Sequence, residues 1–211
     1  MSTDLSPEVW ADELPLLRRD MLDVGFSPDS CVAAARIFID VAGYFGLAAR
    51  PAPVWLTVVN AEYLKLMEAG EDAFTAAVLD LDALSPQAAK KPGGPWRVDI
   101  GHPETPGDLV IGHVVVHLPA TDLLIDLSID QAARPHKNIV DLPMIFFGDP
   151  VSDVGYSLPD GGGMLYRAVP EHRYLQSPNW KRRGAEDTAR HFKQVTGASI
   201  RRLKRILAPS P

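Results

Sequence analysis

The segment GHVVVHLPATDLLIDLSIDQ, residues 112–131, constrains the fold of this chain more than any other stretch. Two apolar runs, 109–118 and 122–129, are separated only by Pro-Ala-Thr, the pattern of a β-hairpin. Side chains alternate between the two faces of a strand, so Val114, Val116 and Leu118 point one way while His113, Val115 and His117 point the other. The second run divides in the same manner, with Leu123, Ile125 and Leu127 on one face and Leu124, Asp126 and Ser128 on the other. The hairpin therefore presents one apolar, core-forming side. Its other side carries two histidines and an acid, which should meet water, a cleft or a partner. A turn at Pro119–Thr121 sets Asp126 near position 114 and so beside His113, better placed for a dyad than His117. A carboxylate beside an imidazole fixes its tautomer and stabilises the imidazolium.

The stretches before this hairpin read as helices. Residues 7–24 carry Val9, Trp10, Leu14, Leu17, Met21 and Leu22 at helical spacing, with Pro15 expected to kink or divide the helix. Gly25 stops it. Ser27-Pro28-Asp29 then has the form of an N-cap, an N1 proline and a first-turn acid. That reading makes Cys31 the fourth residue of a second, small-residue helix ending near Gly43–Gly46. Residues 49–60 read as a proline-led strand and 61–70 as a short helix. Residues 71–91 read as a helical continuation, and KKPGGPW as a turn. After the hairpin come an irregular LPMIFFGDP, a flexible glycine turn at 159–164 near the cleft, and a strand over 165–170. Helices first and an antiparallel sheet later define an α+β class. The expected organisation is one α+β domain over residues 1–180 and a basic helical extension over 181–211.

Cys31 is the only cysteine, so an internal disulfide is impossible and nothing points to an oxidising compartment. The thiolate is the attacking form of a cysteine, and a helix N-terminus or a nearby imidazolium favours it. Helix position supplies the first condition, and His113 is the candidate for the second. The contrary reading is a small apolar residue on a packing face, since cysteine is among the most buried residue types.

The order of a helix-borne Cys31, a strand opening on His113-Val114-Val115-Val116 and a next strand carrying Asp126-Leu127-Ser128 resembles the transglutaminase-like branch of the papain-like cysteine hydrolases. GLAARPAPVWLTV, following the cysteine helix, is similar to the glycine-to-arginine entry into a strand found in that group. Val114 and Val115 stand where the family carries an aromatic. The resemblance covers roughly residues 25–130. It implies N-terminal helices packed on an antiparallel sheet, a Cys31–His113–Asp126 triad, and covalent catalysis at an amide or ester carbonyl. It implies neither a metal nor an organic cofactor, and a peptide, protein or small acyl compound as substrate. The backbone N–H of Cys31 is the natural oxyanion donor. For a second donor Asn60 and Trp96 come into view, and Gln131 as part of the site wall.

Charge supplies the rival reading. Between Lys181 and Arg205 nine Lys and Arg face two acids, while the rest of the chain carries 12 bases and 25 acids. Such a segment can dock on the acidic body, or it can contact nucleic acid or an acidic protein partner, in which case the protein is a non-catalytic binder on the same fold. HRYLQSPNWKRR mixes bases with aromatics in a way compatible with nucleic acid. His102 and His136 fall in turn-rich segments and read as surface residues. No cysteine pair or HExxH spacing suggests zinc, and no glycine-rich loop has the form of a phosphate cradle. No apolar run reaches membrane-spanning length and the N-terminus lacks the form of a signal peptide, so a soluble, cytoplasmic protein without a membrane partner is expected.

Overall fold

The computed structural model describes residues 5–70, 92–101, 112–149, 152–169 and 186–208. The readings of residues 71–91 as helix, of His102, of residues 109–111 as strand and of HRYLQSPNWKRR lie outside the described residues.

Four helices and seven strands make up the described chain: α1 Pro7–Asp23, α2 Cys31–Tyr44, β1 Arg50–Val59, α3 Ala61–Glu68, β2 Arg97–Ile100, β3 His113–Leu118, β4 Leu123–Ile125, β5 Ile145–Phe147, β6 Val154–Ser157, β7 Gly163–Ala168 and α4 Glu186–Ile206. All strand pairings are antiparallel, in the order β5-β4-β3-β1-β7-β6. The α+β class is therefore observed. β1 is the hub: its first half pairs with β3 and its second half with β2 on the same edge, while β7 lines the other edge from Val54 onward. Pro51 and Pro53 fit this strand because Pro53 O accepts from Val169 N, so the proline nitrogens face away from β3 and no β3 ladder bond is lost.

Pro15 does not divide α1, which runs unbroken through it. The carbonyl a proline leaves unbonded is that of residue i−4, here Ala11, and both residues lie on the exposed side where water can take its place. Three short strands went unread in the sequence, β2, β5 and β6. Each has three or four residues, too few to show a period of two. β4 is also shorter than the 122–129 run, because the chain leaves the sheet at Asp126 and turns into a 3₁₀ segment at Ile129–Ala132.

The alternation read in the hairpin holds, and Leu118 pairs with Leu123 across the turn. Val114, Val116, Leu118, Leu123, Ile125 and Leu127 share one core with α1, α2 and α4, in which Trp10 packs on Phe38 with ring centroids 4.9 Å apart. The opposite face, expected to meet water, a cleft or a partner, lies against a second core. Val115 and Leu124 pack there with Val54, Leu56, Ile129, Ile139, Phe146 and Tyr166. The irregular segment after β4 folds back over the sheet and covers it, which no local pattern announces.

α4 docks on the body. Phe192, Val195, Ser199 and Leu203 are buried, and Arg202 reaches both Glu13 and Asp20 on α1 at 2.6 Å. Glu13 is itself buried, so the guanidinium compensates a charge that would otherwise be costly there. Glycines 161–163 form a tight hairpin turn from β6 to β7, closed by Leu158 N to Gly162 O at 2.9 Å.

Candidate active site

Cys31 is the first residue of α2, not the fourth. Ser27–Ser30 closes a turn of its own: Ser30 N donates to Ser27 O at 3.1 Å, Asp29 N to Ser27 Oγ at 3.3 Å, and Ser30 Oγ also donates to Ser27 O. The helix starts only after that turn, with Ser30 O accepting from Ala34 N. The shift strengthens the electrostatic setting of the thiol. It places Cys31 at the first helical position, where backbone N–H groups have no intrahelical acceptor and the dipole is strongest.

His113 opens β3 and is fully buried, as is Asp126. The ring Nε2 lies 2.6 Å from Asp126 Oδ2. Asp126 is held at several points: its N donates to Met144 O at 2.9 Å, its Oδ1 accepts from Ser128 N at 3.1 Å, and its Oδ2 also accepts from Tyr166 OH at 2.9 Å. Tyr166 comes from β7, stacked on Phe146 with centroids 4.5 Å apart. Burial, reinforced by the Asp126 charge, pushes its hydroxyl well above the ordinary tyrosine value and keeps it a donor.

On the other side of the ring, Gln131 Nε2 lies 2.8 Å from Nδ1. Cys31, itself 7% exposed, is near enough to the ring to raise its pKa. The structure thus brings Cys31, His113 and Asp126 together, puts Gln131 beside the ring and adds Tyr166, which the sequence reading did not name. Asp126 engages Nε2, and the Gln131 carboxamide engages Nδ1.

Burial alone would lower the His113 pKa. The Asp126 charge and hydrogen bond outweigh it, Cys31 adds to them, and the ring is raised from 6.5 to about 10. The folded protein therefore holds a proton that the unfolded chain releases near 6.5. This stabilisation is complete below about pH 6.5 and is lost as the pH climbs through 10. Urea denaturation between pH 7 and pH 10 is expected to show stability falling on the order of a few kcal/mol, with the slope removed in His113→Gln. Equal slopes in the two proteins would show that the ring is not protonated in the fold.

The other residues considered from sequence lie elsewhere. His117 is half-buried and faces Asp122 at 3.7 Å. His136 is exposed in a 3₁₀ turn. Asn60 is no oxyanion donor: its Nδ2 donates to Gly94 O and Lys137 O at 2.8 and 2.9 Å, and its Oδ1 accepts from Tyr63 N and Trp96 N at 3.0 Å. Trp96 lies under Lys137 Nζ, 4.4 Å from the ring centroid. Among the described residues no group of three or more His, Cys, Asp or Glu converges as metal ligands, and no helix is long and apolar enough to cross a membrane.

A cleft of about 600 Å³ between α2 and α4, lined by Asp40, Tyr44, Phe192, Lys193, Gly197 and Ile200, lies at the far end of α2. Thirteen residues of helix put Tyr44 about 20 Å from Cys31, so this cleft does not serve the thiol. Comparison of the chain with family models, with curated proteins and with solved structures gave no match.

Proposed function

We propose that the protein is a thiol-dependent hydrolase or acyl transferase on a papain-like, transglutaminase-like fold, with Cys31 as nucleophile, His113 as general base and acid, and Asp126 as the residue that orients the ring. The observation that carries this reading is the buried Asp126–His113 pair, with the Cys31 thiol beside it at the N-terminus of a helix. Asp126 and Gln131 already satisfy both ring nitrogens, so a thiol held beside the same buried ring at a helix start is more than a structural histidine requires.

In the proposed reaction His113 already holds its proton at neutral pH, so the Cys31 sulfur attacks the substrate carbonyl carbon as the thiolate of a thiolate–imidazolium pair. The oxyanion forms beside the backbone N–H of Cys31 at the start of α2. Nδ1–H then protonates the departing amine or alcohol as the carbon–heteroatom bond breaks, leaving a thioester. Water or an amine, deprotonated by His113, attacks the thioester and releases the thiolate, which restores the thiolate–imidazolium pair. Asp126 stays ionised throughout and holds the ring.

The test is the pH dependence of Cys31 alkylation by iodoacetamide in the native protein and in His113→Ala. A free thiol titrates near 8.5. Alkylation that persists at pH 6–7 in the native protein and slows about tenfold or more in His113→Ala supports the ion pair. A thiol indifferent to His113 would remove the basis for catalysis.

A second reading rests on α4. Exposed Arg190, Lys193, Arg201, Lys204 and Arg205 fall on the face opposite Phe192, Val195, Ser199 and Leu203, within about 120° of arc at 100° per residue. Such a stripe suits an anionic polymer. If five phosphates are contacted, oligonucleotide affinity should fall about 500-fold between 50 and 200 mM salt. Weak binding with a shallow salt slope would leave the stripe as a solvated surface.

A further inference from the structure

Two turns flank the candidate site, and neither belongs to a helix or strand ladder. Ser27–Ser30 delivers Cys31 to the start of α2. The 3₁₀ segment Ile129–Ala132 presents Gln131 to His113 Nδ1. One side chain from a third element touches both. Arg18, on the buried face of α1 with 4% of its side chain exposed, donates from Nη2 to Pro28 O at 2.8 Å. It also donates from Nε to Asp130 Oδ1 at 3.0 Å and from Nη2 to Asp130 Oδ2 at 3.1 Å. Pro28 lies three residues before Cys31, and Asp130 is the neighbour of Gln131.

We propose that Arg18 is a positioning residue of this site: its guanidinium clamps the Cys31 turn to the Gln131 turn and so fixes where the thiol and the carboxamide stand against His113 Nδ1. The inference rests on the reading of Cys31, His113 and Asp126 as a catalytic group and adds a residue to it that touches none of the reacting atoms.

Three considerations support it. A guanidinium is a rigid planar fork, so a bidentate grip on Asp130 with a further bond to Pro28 O sets geometry in a way that a flexible ammonium does not. The ion pair also makes a poor stability device. Asp130 is 38% exposed and screened by water, while Arg18 pays the desolvation of a buried charge and its Nη1 has no hydrogen-bond partner among the described residues. Finally, Cys31 stands at the very start of α2 and is delivered there by the Ser27–Ser30 turn, and a displacement of about 1 Å in such a constellation can reduce rates about 100-fold.

The experiment follows iodoacetamide alkylation of Cys31 from pH 5.5 to 9.5, with circular dichroism and thermal unfolding alongside, in the native protein, Arg18→Met, Arg18→Lys, Asp130→Asn and the Arg18→Met/Asp130→Asn double variant. The titratable groups around the ring are Cys31, Asp126 and Tyr166, none of which is altered. Arg18→Met is expected to slow alkylation at pH 6.5 about tenfold and to move the profile toward that of a free thiol. Asp130→Asn should act in the same direction to a smaller extent, and the double variant should be no slower than Arg18→Met. Arg18→Lys, which keeps the charge without the fork, should not restore the native profile. A native profile in folded Arg18→Met, rescue by lysine, or additive losses in the double variant would overturn the proposal. Should Arg18→Met fail to fold, Asp130→Asn, altered at a partly exposed carboxylate, decides alone. A native protein indifferent to His113→Ala sinks the catalytic reading itself, whereas one sensitive to His113 but not to Arg18 or Asp130 sinks only the clamp.

Discussion

Asp126→Asn should destabilise the protein by about 3–5 kcal/mol in urea denaturation at pH 7. The reason is the inventory of donors around one buried carboxylate. Oδ2 accepts from both His113 Nε2 and Tyr166 OH, and Oδ1 accepts from Ser128 N. An asparagine has one oxygen and one NH2. Either orientation turns a donor toward a donor, and a buried group left without a partner costs roughly 1–3 kcal/mol. The loss of the charge acts on His113 as well. With Asp126 neutral, burial dominates the ring and drives it toward the uncharged form. Alkylation of Cys31 at pH 6.5 should therefore fall with stability. A variant within 1 kcal/mol of the native protein would mean that Tyr166 and His113 find other acceptors and that the network is not as drawn.

The second large effect is expected at a residue outside the candidate site. Asn60 is 2% exposed, and its side chain binds backbone groups at Tyr63, Gly94, Trp96 and Lys137. It caps α3 and at the same time ties the 93–96 turn to the 3₁₀ segment around Lys137. Removing an N-cap costs about 1 kcal/mol. Stranding Gly94 O, Lys137 O and Trp96 N adds to that, so Asn60→Ala should lose about 3 kcal/mol. The alkylation profile of the folded variant should match the native one, because nothing Asn60 holds touches Cys31 or His113. A change in thiol reactivity without loss of stability would reverse this assignment and return Asn60 to the site.

The residues of the candidate triad were legible in sequence because each rests on a short-range rule. Alternation placed His113 and Asp126 on one face, a three-residue connection brought their strands together, and helix-start chemistry marked Cys31. The α1, α2, α3 and β1 spans follow from local periodicity for the same reason. What escaped depends on contacts across the chain. Tyr166 reaches Asp126 from 40 residues away, Arg18 reaches Asp130 from 112, and neither separation has a sequence period. The helix start was misplaced because Ser27 can cap a helix or close a turn, and the turn it forms with Ser30 is the one realised. The second core on the polar face of the hairpin escaped because Ile129 and Ile139, which help to form it, lie outside regular strands and carry no period to read.

The pairing of Glu13 with Arg202 spans 189 residues, and this separation has a consequence for how the molecule comes into being. A ribosome adds roughly 5–20 residues per second, so α1 waits some 10–40 s for the partner of its buried acid. During that interval the apolar faces of α1 and α2 have no α4 to cover them, and Tyr166 joins Asp126 only a little earlier. Non-local closure of this kind makes for slow folding. The nascent chain therefore carries Cys31 as an ordinary thiol until His113 and Asp126 follow it, and the hydroxyl that holds that acid arrives only with Tyr166.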